Sequence, residues 1–73
     1  MAKETVEVPI TGKIISVDVK VGQAVKEGDL ICTLESMKME NPILAAVSGT
    51  VVEVAVKADQ VVKSGEKIAV IEY

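Results

Sequence analysis

The feature that most constrains this chain is an internal repeat. Displaced by 37 positions, residues 12–36 (GKIISVDVKVGQAVKEGDLICTLES) lie over residues 49–73 (GTVVEVAVKADQVVKSGEKIAVIEY), with ten identities in 25 aligned positions. The identical pairs are Gly12/Gly49, Val17/Val54, Val19/Val56, Lys20/Lys57, Gln23/Gln60, Val25/Val62, Lys26/Lys63, Gly28/Gly65, Ile31/Ile68 and Glu35/Glu72. Each copy is too short to bury a hydrophobic face by itself, so the two must cover each other, which predicts the halves of one sandwich related by a pseudo-twofold axis. Seventy-three residues leave room for a single small domain, taken as residues 1–73.

Within each copy the hydrophobic period is two, the period of a half-buried strand. Val6, Val8 and Ile10 alternate with Glu7 and Pro9, and Ile15, Val17, Val19 and Val21 alternate with Ser16, Asp18 and Lys20. The second copy repeats the pattern with Ile43, Ala45 and Val47, then Val52, Val54, Val56 and Ala58. These sets are expected to face inward, while Glu53 and Lys57 face solvent. The stretch from Leu30 to Leu34 is apolar on both faces apart from Thr33, as in a central strand. Gly28 and Gly65, in KEGD and KSGE, mark turns, and Gly12 and Gly49 mark bends or close backbone approaches. No stretch carries a helical stripe, although VGQAVKEG is long enough for one turn of helix. The expected fold is all-β.

Composition removes several functions. Charges of both signs are interspersed and the net charge is −3, so nothing offers the basic stripe that a nucleic-acid backbone requires. One tyrosine, with neither Phe nor Trp, leaves no aromatic platform. A single cysteine and no histidine leave no metal cluster and no intramolecular disulfide. Cys32 aligns with Ala69 inside the apolar strand and reads as a small buried hydrophobe. Val25 and Val62 read as core. The segment MAKETVEV has no apolar signal core, and no apolar run is long enough to span a bilayer. Together with a lone reduced thiol, this predicts a cytoplasmic protein without direct membrane insertion. Without histidine, a glycine-rich phosphate loop or paired carboxylates, a free-standing enzyme is not expected.

The repeat also constrains the middle of the chain. Position 38 is the image of position 1, so the segment around Lys38 corresponds to the N-terminus and belongs to an exposed connection, expected at the opposite end from the termini. A tight hairpin should join a strand ending near Glu35 to one beginning near Met39. Met37 and Met39 flank the lysine where Asn, Asp, Gly or Ser are the ordinary turn residues. Either the methionines fold back over the end of the sandwich, or their soft side chains are presented to a partner.

The segment ESMKMENP, residues 35–42, resembles the attachment motif of biotin carboxyl carrier proteins and biotinyl domains, in which a lysine between two methionines sits on a hairpin. The flanking patterns, G-x-x-x-x-V-x-V-x-x-G-x-x-V-x-x-G-D upstream and A-x-x-S-G-T-V-x-x-V downstream, extend the likeness over nearly the whole chain. The resemblance implies a flattened barrel of two four-stranded antiparallel sheets with quasi-twofold symmetry, the hammerhead fold. It implies biotin joined by an amide to Lys38, recognition through the flanking Met37 and Met39, and a part for Glu35 in recognition by a biotin protein ligase. Ser36 stands where alanine is commoner. The uninterrupted run into Val21-Gly22 resembles the thumbless domains of propionyl-CoA, pyruvate and decarboxylase-type enzymes. The implied role is that of a non-catalytic carrier, moving a carboxyl group between a biotin carboxylase and a carboxyltransferase or decarboxylase. The nearest alternative is a lipoyl domain, whose hairpin usually reads DKA, and the next is an unmodified hammerhead used only for interaction.

Overall fold

A computed structural model describes all residues, Met1–Tyr73. The chain forms eight strands and no helix: β1 (Lys3–Glu7), β2 (Gly12–Val17), β3 (Ala24–Val25), β4 (Leu30–Ser36), β5 (Met39–Leu44), β6 (Gly49–Val54), β7 (Val61–Val62) and β8 (Lys67–Glu72). They make two antiparallel four-stranded sheets, in the orders β1-β8-β6-β3 and β5-β4-β2-β7. Advancing every strand by one repeat converts the first order into the second, so the quasi-twofold symmetry of the sequence is a symmetry of the fold.

The halves do not, however, pack as one sheet each. Every sheet takes two strands from each copy: β2 pairs with β4 of its own copy and with β7 of the other. Periodicity marks strands but is silent on their order, because any pairing that covers the aliphatic face satisfies it.

The core is a single cluster of 16 buried residues, among them Ile14, Ile31, Leu34, Val51, Ile68 and Ile71, each fully buried. Val25, Val62 and Cys32 lie in it as expected. Four β-bulges set which residues enter, and they correct the strict alternation. In β2 the register skips from Ile14 opposite Leu34 to Ser16 opposite Thr33, so Ile14 is buried and Ile15 is exposed. The same bulge in β6 buries Val51 and exposes Val52. Downstream of each bulge Val19 and Val56 are buried and Val17 and Val54 are half-buried, whereas Val21, Ala58 and Ile10 lie in connections and are exposed. Bulges in β4 at Ile31 and in β8 at Ile68 bring two consecutive side chains into the core, Ile31 with Cys32 and Ile68 with Ala69. An extra residue flips the parity of a strand, and a period-two pattern rich in valine and isoleucine on both faces does not reveal where.

The turns repeat as faithfully as the strands. The Asp29 carboxylate accepts from the Lys26 amide as that of Glu66 accepts from the Lys63 amide. The Gln23 and Gln60 side chains accept from the Lys20 and Lys57 amides. Gly28 and Gly65 adopt φ of 93° and 92°, the left-handed region expected of them, and the VGQAVKEG segment is turn and strand without helix. Gly12 and Gly49 are the close approaches: a Cβ at either would collide with the carbonyl of Glu35 or Glu72 on the adjacent strand.

Candidate functional site

The hairpin around Lys38 begins with the register of its strands. β4 and β5 pair from Leu30 opposite Leu44 to Ser36 opposite Met39, leaving Met37 and Lys38 as the two turn residues. Their φ angles are +54° and +66°. Positive φ at both central residues is the signature of the type I′ turn, whose twist suits a two-residue hairpin and which strongly favours Asn-Gly. For a side chain with a Cβ each such position costs about 1 kcal/mol or more. A methionine and a lysine held there are strained, as is Asp59 at φ +71°.

Exposure shows what that strain presents. Met37 is 88% exposed and Met39 67%, so neither folds back over the sandwich. Lys38 is exposed, and its ammonium enters neither of the two ion pairs of the molecule nor any hydrogen bond. A primary amine at the apex of a narrow turn, with no partner to displace, fits amide attachment of a carboxylic acid and admits an enzyme from above. Glu35 is exposed, next to last in β4 before the apex, and lies opposite Lys13 on β2 and Glu40 on β5. The Lys13 ammonium lies 3.8 Å from Asp59, and the Glu35 carboxylate enters no ion pair.

Ser36 has a role that its place in the motif did not disclose. It is the only buried polar residue, and its hydroxyl donates to the Thr11 carbonyl at 3.0 Å. This bond ties the base of the hairpin to the connection between β1 and β2. The available signal was parity: Ser36 lies two residues beyond buried Leu34, on the inward face, where a hydroxyl needs a partner. The Asn41 amide caps the other strand by donating to the Met39 carbonyl at 3.3 Å. At the symmetry-related place the chain has its ends: Ala2 and Tyr73 exchange backbone hydrogen bonds of 2.9 and 2.8 Å, an open counterpart of the hairpin.

Cys32 stands apart from the site. It is fully buried and its pKa is pushed up to about 11, first by burial and then by the nearby Asp18 carboxylate, so it is a packed thiol and not a nucleophile. The surface concavity of the molecule is lined by Lys20, Val21, Gly22 and Gln23 and includes no hairpin residue.

Known proteins resemble this chain in sequence and in fold. The chain is 57% identical over 42 residues to the methylmalonyl-CoA decarboxylase subunit gamma of Veillonella parvula, covering 58% of this chain and 33% of that one. It is 57% identical over 37 residues to the propionyl-CoA carboxylase alpha chain of Ruegeria pomeroyi, covering 51% of this chain and 5% of that one. It thus spans a third or less of the length of these relatives. Among solved structures it superposes on the urea carboxylase of Kluyveromyces lactis with a TM-score of 0.89 and 30% identity, over 99% of this chain and 6% of the other. The model of a family described as "Biotin-requiring enzyme", covering biotin and lipoyl attachment domains, matches residues 4–71, and with the hammerhead fold and its hairpin lysine in place the chain belongs to that family.

Proposed function

We propose that this chain is a biotin carrier and that Lys38 is the residue to which biotin is joined. The observation that carries the assignment is the strained two-residue turn that holds Lys38 clear of every partner between two exposed methionines. The methylmalonyl-CoA decarboxylase and propionyl-CoA carboxylase relatives support the biotin reading over lipoate.

When bound, biotin supplies a ureido nitrogen that accepts a carboxyl group in one active site and releases it in another. The protein does the rest. Its rigid double sheet keeps the Lys38 stem out of the core, and the four-carbon side chain, on one of the two turn residues, extends into solvent. Conversion of the amine to an amide removes a strongly hydrated charge and eases entry into a pocket. Tethering raises the concentration of the carried group at each partner without any new contact. The partners are a biotin protein ligase, reading Met37, Met39 and Glu35, then a biotin carboxylase and a carboxyltransferase or decarboxylase subunit, in the cytoplasm where Cys32 stays reduced.

Co-expression with a biotin protein ligase and biotin is expected to add one biotin by intact mass, and Lys38→Arg to add none. Lipoate in place of biotin, or modification persisting in Lys38→Arg, refutes the cofactor or the site.

A further inference from the structure

The quasi-twofold axis makes each sheet a control for the other, and the solvent faces of the two are dressed differently. On the outer face of the β1-β8 pair, Lys3 lies opposite Glu72 and Glu7 opposite Lys67, two cross-strand pairs of opposite charge. The equivalent positions on the β5-β4 pair hold Glu40 opposite Glu35 and Leu44 opposite Leu30. Opposite charges across a ladder stabilise and like charges destabilise. The fold therefore accepts complementary charges across these two strands, and the hairpin-bearing pair carries instead two facing carboxylates, with Lys13 of β2 on the other side of Glu35, and a leucine pair left 39% and 49% exposed. Nothing in the packing of this chain uses either.

We propose that this outer face is the docking surface for the enzyme that modifies Lys38, with Leu30 and Leu44 filling an apolar depression of that enzyme and Glu40 joining Glu35 in meeting its basic side chains. The inference rests on the carrier reading above and extends it from the hairpin to the sheet. An enzyme acting on Nζ of a bare lysine has no flexible arm to reach for, so it must embrace the hairpin and touch the sheet that the hairpin belongs to, which is β4 and β5. From Lys38 to Leu44 is six residues of extended chain, about 20 Å, so apex, carboxylates and leucines fit within one interface of about 800 Å² per partner. Partners that receive the loaded arm reach it at a distance and need no such contiguous footprint. An apolar centre beside two facing carboxylates calls for a partner surface that is basic around an apolar pocket.

The test transplants the other sheet's residues. The triple variant Leu30→Lys, Leu44→Glu, Glu40→Lys reproduces the charge pairs of β1 and β8, and should fold at least as stably as the parent by thermal unfolding. With a biotin protein ligase, ATP and biotin, its KM as a substrate is expected to rise about tenfold or more with kcat within about twofold. The mirror variant Glu7→Gln, Lys67→Gln on the other sheet should leave both constants unchanged. Unchanged KM in a folded triple variant overturns the docking assignment. So does normal modification with impaired carboxyl transfer, which gives the face to a downstream catalytic subunit. Absence of biotinylation in the parent chain instead refutes the carrier reading itself, so the two failures are distinguishable.

Discussion

At the scale of the residue, the Met37-Lys38 turn trades backbone ease for exposure of its side chains. Met37 and Lys38 occupy positions where a hairpin would choose Asn-Gly, and both carry positive φ. Replacing them, as Met37→Asn with Lys38→Gly, is expected to raise stability to urea by about 1 kcal/mol while abolishing modification. A less stable double variant would show that the turn is not strained. Cys32 gives a prediction in pH. Its pKa is raised to about 11 from an unfolded value of 9.0, so the folded state holds its proton more tightly than the unfolded state does. The stabilisation is fully present below pH 9 and is lost as pH rises through the window up to about 11. The difference in urea midpoint between the parent and Cys32→Ala should therefore be constant below that window and shrink across it. A difference independent of pH would refute the burial-driven shift.

At the scale of the element, the hairpin stands on a close contact between strands. β2 passes β4 so tightly at Gly12 that a Cβ there would strike the Glu35 carbonyl, next to the base of the hairpin. Gly12→Ala must push β2 away and disturb both the ladder and the Ser36 bond to Thr11. A loss of about 2 kcal/mol is expected, read as a fall in Tm of about 10 °C. Gly49→Ala should cost as much, by the equivalent approach to Glu72, but being remote from the hairpin it should leave modification of the folded fraction unchanged. A milder effect at Gly12 than at Gly49 would mean that the loop behind Ser36 yields more easily than its bond implies. The bulges at Ile15 and Val52 belong to this scale too. They turn an alternating strand so that Ile14 and Val51 seal the core, and they account for why the inward set in these strands begins one residue earlier than alternation alone implies.

At the scale of the molecule, the interleaving of the copies governs cooperativity. Each sheet needs strands from both halves, so neither half can keep its sheet when the other is lost. Unfolding is expected to be a single transition with coincident midpoints by circular dichroism and by NMR, and the isolated residues 1–36 are expected to be unfolded as a monomer. A folded monomeric half would contradict the shared core. The molecule is elongated, 36 × 18 × 16 Å, so a small body can offer a narrow end to an active site and a long flank to a docking partner.

The sequence by itself determined the duplication, the all-β class, the glycine turns and the presence of a tight connection at Lys38, because repeats, alternation and turn chemistry are local and survive in one dimension. Core membership of Val25, Val62 and Cys32 was legible for the same reason. The tertiary structure decided the pairing of strands between the copies, the bulges that move the core from Ile15 to Ile14 and from Val52 to Val51, the buried hydroxyl of Ser36, and the outward stance of both methionines. Each depends on which strand lies beside which, and pairing is a long-range choice among arrangements that bury the same aliphatic residues equally well. The contrast between the two outer faces is of this kind. Lys3, Glu7, Glu40 and Leu44 are ordinary along the chain, and only their register against Glu72, Lys67, Glu35 and Leu30 shows opposite charges facing across one strand pair and like charges and leucines facing across the pair beside Lys38.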